Sequence, residues 1–427
     1  MRRAHINVLR DITAISQWLS RANPGKLVPA PINTVASIRQ TPDGESSPPR
    51  YDACVIPAEP NTILITCAKG LADLLRAEVE ALGYTIDSQH ETGVMITAGW
   101  HDVMRLNLHL RTAFNVLWLL KSFDCRSPKR LYNRVQTVPW EQLIPPDGYL
   151  SVVSKVETPS VDNSMFANVR VKDAIVDRMN EIVGRRPDSG SERTGIVVNL
   201  YWKDHRAWLY LNTSGVKLSD RSYRRLPHDA PMQESLAAGV MLATGYDGTQ
   251  PLLCPMCGSG TLAIEAALIA AGRAPGLLRT HFAFTQLKTH DEEAWQQLRR
   301  EAQKLSRKKR PSAPIIASDL SAGAVQAARK NAMTAGVEHR IEFRICDFAE
   351  TPVPDQPGLI VMNPEYGKRL GETEELKETY RRIGDFFKQR CPGWTGYVFT
   401  GNLELAKQIG LSASRRMPFW NAEIECR

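Results

Sequence analysis

The sequence predicts a chain in two parts, an α+β half followed by an α/β half built on a mostly parallel sheet. Residues 60–225 mix strands and helices in no fixed order, whereas in residues 226–427 apolar strands alternate with helices. Such alternation is typical of a parallel sheet with helices on both faces. A length of 427 residues, 43% of them hydrophobic and 23% charged, predicts folded domains with ordinary cores.

Composition narrows the class of protein. The net charge of +8 and the pI near 9.0 suit a nucleic-acid partner, although they are compatible with many others. No run of eighteen apolar residues occurs, so no membrane span is predicted. The eight cysteines form no regular framework and only one pair is close in sequence, which favours a reduced cytoplasmic setting.

Residues 1–59 are predicted to be a poorly ordered N-terminal extension. They begin Arg-rich, contain few acidic residues and end in a linker rich in Pro, Ser and Gly. An organelle transit peptide is the alternative interpretation.

Periodicity predicts the elements of the first half. An apolar strand at 63–66 precedes leucines and valine at helical spacing from Leu71 to Leu82. Further along, the pattern predicts strands at 93–97, 114–123, 149–156, 195–202 and 207–212, with helices at 101–111 and 164–182.

The second half repeats one unit, a strand followed by a helix. Its predicted strands are 251–254, 314–319, 340–346, 358–363 and 396–400, and its predicted helices are 231–243, 259–272, 322–333 and 376–387. Residues 273–313 are interpreted as an insert. Because ligands of parallel sheets bind at the carboxyl ends of the strands, the site is expected there.

The segment from Cys254 to Gly260, Cys-Pro-Met-Cys-Gly-Ser-Gly, has two possible interpretations. A redox dithiol needs its first cysteine at a helix N-terminus, yet Cys254 ends a strand. A zinc site needs a second ligand pair, and no other close Cys/His pair is present. Glycines at 258 and 260 instead favour a tight turn whose backbone N–H groups approach a ligand, so no metal is expected.

The same glycines also fit a dinucleotide-binding pattern, Gly258-x-Gly260-x-x-Ala263. Such an enzyme would carry an acidic residue about twenty positions further on, and none stands there. Asp319 appears instead at the end of the next predicted strand. That position suits a carboxylate that binds both hydroxyls of a ribose, although Asp after a strand is commonly a helix cap.

The predicted strand 358–363 ends in Asn363-Pro364-Glu365-Tyr366. An exocyclic amino nitrogen is a poor nucleophile because its lone pair is delocalised into the base. The Asn363 side-chain oxygen and the Pro364 carbonyl can accept hydrogen bonds from the two N–H groups of this amine, and Tyr366 can stack on the base. An ordinary turn is the alternative for this motif alone. The three motifs together, in this order on one α/β domain, favour a methyltransferase site.

With these motifs the chain resembles the RNA guanine-N2 methyltransferases of the RlmL type, from about residue 60 to 427. The resemblance in the first half includes Thr66–Leu71, Leu110–Ala113, Phe166–Ala167, Val171–Arg178, Leu211–Gly215 and Arg221–Arg224. In the second half it includes Ala230–Leu236, Pro255–Thr261, Ala274–Gly276 and Asn363–Leu370. It implies an RNA-binding half that contains a THUMP domain, followed by a Rossmann-like class I methyltransferase domain.

The resemblance also implies a cofactor, S-adenosylmethionine, and roles for single residues. Gly258 and Gly260 would bind its methionine end, and Pro255 and Cys257 beside them would also contact the cofactor. Asp319 would bind its ribose and Asp347 would face its adenine amino group. Asn363, which also contacts the cofactor, would grip the guanine together with Pro364 and Tyr366.

The predicted activity is methylation of a guanine N2 amino group in 23S ribosomal RNA or in a ribosome-assembly intermediate. The alternatives are the same reaction on transfer RNA, or a non-catalytic RNA-binding factor with a degraded cofactor site. Cytosine C5 chemistry is disfavoured because no Pro-Cys motif is present. The chain departs from the family at Cys254, where Asp is usual, and at Glu365, where Pro is usual. Glu365 either accepts from guanine N1–H or points to solvent.

RNA contacts are predicted at basic and aromatic clusters in both halves. Phosphate contacts fix register without reading sequence, which suits such clusters, whereas solvated surface charge is the alternative for any single one. The predicted RNA-binding residues are Lys129, Arg130, Arg221, Tyr223, Arg224, Lys368 and Arg369.

Overall fold

The computed structural model describes residues 59–224, 232–308, 313–366 and 373–427. Within them, the first half forms an eight-stranded sheet, the second a five-stranded sheet, and a separate two-stranded hairpin follows. Nearly all of the predicted N-terminal extension lies outside the described residues, as do the predicted boundary at 225–226 and the pair Lys368–Arg369.

The first half contains eight strands and four helices within the described residues. The strands are β1 (Asn61–Cys67), β2 (Ser88–His90), β3 (Gly93–Ala98), β4 (Ala113–Asp124), β5 (Tyr149–Glu157), β6 (Asp188–Ser189), β7 (Ile196–Lys203) and β8 (Arg206–Asn212). The helices are α1 (Ala72–Ala81), α2 (Asp102–His109), α3 (Pro128–Gln136) and α4 (Ser164–Val183). Each strand and helix that periodicity predicts here is present.

The eight strands lie in the order β2-β3-β1-β4-β8-β7-β5-β6. Strand β4 joins the two parts of this sheet, because it pairs antiparallel with β1 on one side and with β8 on the other. Among the described pairs of this sheet, only β5–β6 and β5–β7 are parallel. The α+β prediction for this half is therefore confirmed.

The second half holds the remaining elements. Its strands are β9 (Leu252–Pro255), β10 (Ile315–Asp319), β11 (Ile341–Ile345), β12 (Leu359–Met362), β13 (Thr395–Val398), β14 (Phe419–Asn421) and β15 (Ile424–Cys426). Its helices are α5 (Glu234–Ala243), α6 (Thr261–Ala270), α7 (Glu292–Lys308), α8 (Ala322–Thr334), α9 (Thr373–Arg390) and α10 (Leu403–Gln408).

The five-stranded sheet has the order β11-β10-β9-β12-β13, and every pair in it is parallel. Strands β9 and β12 are buried along their whole length, as expected for strands covered on both faces. From β9 the chain passes first to β10 on one side and later to β12 on the other. The carboxyl end of β9 is therefore the topological switch point, where ligands of open α/β sheets bind.

Several helices and strands were not predicted from hydrophobic periodicity. Helix α3 lies in a stretch that reads only as polar, and α7 lies in the predicted insert. Each buries a narrow stripe: in α7 Trp295 and Ala302, seven residues apart, are buried while most other positions are exposed. A stripe this narrow is easily mistaken for loop sequence. The short helix α10 and the β14–β15 hairpin at the end of the chain were also not predicted.

Candidate functional site

The carboxyl ends of adjacent parallel strands bring the predicted site residues to one edge of the sheet. The glycine loop follows β9, Asp319 ends β10, Asp347 follows β11 and Asn363 follows β12. Because β9 lies between β10 and β12, the loop after β9 lies centrally among these groups.

The loop after β9 is a chain of tight turns. Met256, Gly258 and Gly260 have φ angles of 55°, 53° and 84°, in the left-handed region. A Cβ on Gly260 would lie 2.8 Å from the Ala328 Cβ, whereas a Cβ on Gly258 would meet nothing within 4 Å. Gly260 therefore allows close packing on α8, while Gly258 borders open space. Helix α6 begins at Thr261, directly after Gly260, so the helix N-terminus lies close to that space.

Asp319 fastens this loop, a role that the sequence did not reveal. Its Oδ2 accepts a hydrogen bond from the Gly258 N–H at 2.9 Å, and its Oδ1 accepts from the Ser321 N–H at 2.9 Å. Each carboxylate oxygen can accept more than one hydrogen bond, so acceptor capacity remains for a ligand hydroxyl. Asp319 is thus positioned both to shape the loop and to receive a ribose.

Asp347 caps a short 3-10 turn and is paired with an arginine. Its Oδ1 accepts from the Ala349 N–H at 2.9 Å and from the Arg382 guanidinium at 2.7 Å. Burial raises the pKa of this carboxyl, but the hydrogen bonds and the charge of Arg382 outweigh it and hold the pKa below its ordinary value. The carboxylate is therefore an ionised acceptor beside the cleft.

Asn363 stands at the end of β12 with an unpaired acceptor. Its Oδ1 is buried and has no hydrogen-bond partner among the described residues. Pro364 is buried, whereas Glu365 is exposed. A buried oxygen without a partner costs about 1–3 kcal/mol, so this atom marks a place where a donor is expected to bind.

Tyr366 is held by the C-terminal hairpin. Its hydroxyl accepts a hydrogen bond from the Asn421 side-chain amide at 3.0 Å, and the ring is partly buried against the core. Burial raises the pKa of this phenol above its usual value, so it is neutral at physiological pH. Stacking of Tyr366 on a base stays a prediction.

Cys254, in β9, and Cys257, in the loop that follows, have the properties of inert thiols. Burial raises the pKa of Cys254 to about 12 and also raises that of Cys257, beside the negative charge of Asp319. Both are free, and the described residues contain no group of three or more His, Cys, Asp and Glu side chains able to hold a metal ion.

Two apolar side chains beside the acidic residues were missed. Leu320, directly after Asp319, is 73% exposed, and Ile345, two positions before Asp347, is 61% exposed. Asp319 and Ile345 are register partners in neighbouring strands, so these side chains flank the same strand ends. Exposed leucine and isoleucine at strand ends suit an apolar ring system as ligand. A large apolar residue after the strand-ending Asp was the available sequence signal.

The prediction of RNA contacts is wrong for Arg221 and Tyr223. Both are buried, and both bind the Glu265 carboxylate in α6, at 2.7 Å from the Arg221 guanidinium and 3.0 Å from the Tyr223 hydroxyl. Arg224 is likewise turned inward, donating to the Met232 carbonyl at 2.5 Å beside Glu234. These side chains join the halves and present no free cation to a phosphate.

The other predicted cluster in the first half is exposed. Lys129 and Arg130 lie on the surface of α3, and the Arg130 guanidinium is 3.3 Å from the Asp124 carboxylate. Their contact with RNA stays a prediction. Lys368 and Arg369 lie outside the described residues.

Three family descriptions match the chain in order. Residues 62–117 match a ferredoxin-like domain of the RlmL type, residues 125–212 a THUMP domain, and residues 221–427 an RMKL-like methyltransferase domain. Ferredoxin-like and THUMP domains thus share the eight-stranded sheet.

Curated relatives carry methyltransferase names. The ribosomal RNA large subunit methyltransferase K/L of Syntrophotalea carbinolica is 38% identical over 86% of this chain and 53% of its own length. That of Psychromonas ingrahamii is 36% identical, and again the chain spans about half of it, 49%. A putative RNA methyltransferase of Synechocystis is 32% identical over 88% of this chain and 97% of its own length.

Solved structures superpose on most of the chain. A possible methylase from Clostridium difficile superposes with a TM-score of 0.78 at 26% identity, over 86% of this chain and 97% of its own. A predicted N6-adenine-specific DNA methylase from Listeria monocytogenes gives 0.78 at 30% identity, over 86% and 95%. The order of domains, the strand-end site and the relative matched almost end to end lead to one conclusion: the chain belongs to the RlmL-type family of THUMP-containing, S-adenosylmethionine-dependent methyltransferases.

Proposed function

We propose that this protein transfers the methyl group of S-adenosylmethionine to the exocyclic N2 of a guanine in 23S ribosomal RNA, in the cytoplasm. The observation that carries the proposal is the Asn363 Oδ1, buried at the end of β12 without a partner among the described residues. An acceptor left unpaired beside a cofactor cleft suits a substrate that brings its own N–H donor.

The residues around the cleft fit the cofactor. Gly258 offers open space at the N-terminus of α6, where backbone N–H groups and the helix dipole favour the methionine carboxylate. Asp319 retains acceptor capacity for ribose hydroxyls. Leu320 and Ile345 expose apolar surface for the adenine, and the ionised Asp347 offers an acceptor for its amino group.

The proposed methyl transfer requires little from the protein beyond positioning of the base and the cofactor. The cofactor supplies an electrophilic methyl carbon attached to a sulfonium. The Asn363 Oδ1 and the Pro364 carbonyl would each accept a hydrogen bond from one N–H of the guanine amino group. These two hydrogen bonds would localise the nitrogen lone pair in the direction of the methyl carbon. The nitrogen is acidic once alkylated, so its proton can leave to water and no general base is required.

Glu365 is exposed, which favours the interpretation that its carboxylate points to solvent and does not bind guanine N1–H. Cys254 is buried in β9, so it contributes packing where the family usually carries an aspartate. The proposed transfer relies on the Asn363 Oδ1 and the Pro364 carbonyl, and the chain retains both atoms.

The relatives' names and the THUMP domain support a ribosomal RNA substrate. The described residues contain no helix long and apolar enough to span a membrane.

Methyl mapping tests the proposal. RNA from a strain that lacks the protein is incubated with the full chain and labelled S-adenosylmethionine, and the product is digested to nucleosides and mapped by mass spectrometry. We expect N2-methylguanosine in 23S RNA. Label in transfer RNA would show that the substrate is transfer RNA, and label as N6-methyladenosine would show that the target base is adenine. Cofactor binding without any transfer would indicate a non-catalytic RNA-binding factor.

A further inference from the structure

A cleft of about 630 Å³ lies between the first half and the end of the chain. One wall consists of the turn between β1 and α1 and the tip of the β2–β3 hairpin. The other consists of residues 415–420, which lead into and enter β14. None of the predicted cofactor- or base-binding residues lines it, so it is separate from the site described above.

An aromatic ring borders this cleft. Trp420 is partly exposed, and the Lys69 Nζ lies 4.7 Å from its ring centroid. The approach of the two halves depends on Gly70, because a Cβ there would lie 2.8 Å from the Pro418 carbonyl oxygen. The structure therefore holds a lysine over the ring of a partly exposed indole at the junction of the halves.

The acidic side chains of the cleft already have polar partners, whereas two of its exposed arginines are available to bind a ligand. Glu91 pairs with Lys69 at 2.7 Å and Asp73 accepts from the Gln89 amide at 2.7 Å. Arg415 and Arg416 are exposed and have no ion-pair partner in the described ranges. Unpaired arginines beside an accessible aromatic ring are the groups that bind single-stranded nucleic acid.

One short strand connects this cleft to the catalytic motif. Asn421 of β14 donates to the Tyr366 hydroxyl at 3.0 Å, and Trp420 is the preceding residue of the same strand. Successive side chains of a strand point to opposite faces. The hairpin thus contacts Tyr366 on one face and borders the cleft on the other.

We propose that this cleft binds an unpaired nucleotide next to the target guanine, with its base stacked on Trp420 and its phosphates on Arg415 and Arg416. The proposal rests on the proposed function, because a target turned out of its stack leaves a neighbouring nucleotide without its own stacking partner. Stacking on Trp420 would repay part of the unstacking cost close to the reaction. An acidic protein segment is the competing occupant.

Binding and crosslinking on the full chain test this proposal. The probe is a fluorescent, mixed-sequence single-stranded RNA of about twelve nucleotides carrying one photoreactive 4-thiouridine, long enough to span one binding groove. We expect Trp420→Ala to weaken binding on the order of tenfold, within the range for loss of one base stack, and Trp420→Phe to retain most of the affinity. The double variant Arg415→Ala/Arg416→Ala should weaken binding at least as much and flatten its salt dependence.

The matched control is Arg381→Ala/Lys388→Ala, which also removes two exposed cations but from helix α9, none of whose residues lines the cleft. It should bind the RNA within about twofold of wild type, and every variant should bind S-adenosylmethionine like wild type, which verifies folding. The crosslinked peptide should contain Trp420.

Three results would overturn the proposal. These are wild-type RNA affinity in both the Trp420→Ala and the arginine variants, equal weakening by the α9 control, or crosslinks confined to other peptides. Should the cleft variants instead lose only binding of a polyglutamate peptide, the occupant is an acidic protein. RNA bound at Trp420 by a chain that methylates no RNA would contradict the proposed function and leave the cleft assignment standing.

Discussion

At the scale of single residues, the proposed reaction depends most on the side-chain oxygen of Asn363. If its unpaired Oδ1 accepts an N–H from the substrate in the transition state, Asn363→Ala should lower the transfer rate by on the order of 10²–10³. Cofactor affinity should change little, as measured by calorimetry. Glu365→Ala, at the exposed neighbouring position, serves as the control and should keep most of the rate. Equal loss of cofactor binding in Asn363→Ala would indicate a structural role instead.

Asp319 is predicted to act on the cofactor and on the loop that holds it. Asp319→Ala removes a charged acceptor and frees the Gly258 N–H, so S-adenosylmethionine binding should weaken by about 1.5–3 kcal/mol. Asp319→Asn keeps one acceptor oxygen and should lose less. Calorimetry on both variants, with circular dichroism to verify folding, measures this difference. Unchanged affinity in a folded Asp319→Ala would remove the residue from the site.

At the scale of elements, the segment 221–224 is fastened to helix α6 by a buried ion pair. Glu265 and Arg221 are both fully buried, so Glu265→Ala leaves a guanidinium without its carboxylate. Removing one member of such a pair typically costs about 3–5 kcal/mol, and urea unfolding of the full chain should show it. The control is Glu338→Ala, whose partner Arg329 is half-exposed, and which should cost under about 1 kcal/mol. Similar costs for the two variants would show that the buried pair does not stabilise the junction.

The buried contacts of Glu265 also limit how the two halves can be separated for experiments. A fragment that starts at residue 226 removes Arg221 and Tyr223 and leaves Glu265 buried without either partner. Such a fragment is expected to be unstable for a reason unrelated to RNA. Point variants in the full chain therefore test the role of the first half more cleanly than truncation does.

At the scale of the whole molecule, the first half is predicted to position RNA through phosphate contacts. The double variant Lys129→Ala/Arg130→Ala should weaken binding of 23S RNA and reduce the slope of log affinity against log salt by about 1 for each lost contact. Filter binding at several salt concentrations measures the slope. The variant Arg381→Ala/Lys388→Ala has the same change in charge and should leave the slope nearer to that of wild type. An unaltered slope in the α3 variant would mean that these two side chains are only solvated surface charge.

The linear sequence determined the features that depend on local chemistry. The alternation of strands and helices, the glycine loop after β9, the acid that ends β10 and the Asn-Pro motif after β12 were all predictable, because each follows from residue types and spacing within one segment. Since the carboxyl ends of parallel strands meet at one edge of a sheet, the strand order along the chain also predicts that these motifs lie together.

Only the tertiary structure decided which charged side chains are buried and which elements meet across the chain. A sequence pattern shows that Arg221, Tyr223 and Arg224 form a basic cluster, but their burial depends on Glu265, 44 residues beyond Arg221. The cleft beside Trp420 likewise needs Lys69 and Gly70 from the opposite end of the described chain. Periodicity reports on one element at a time, whereas desolvation and ion pairing depend on what packs against it, so these contacts became visible only in the folded molecule.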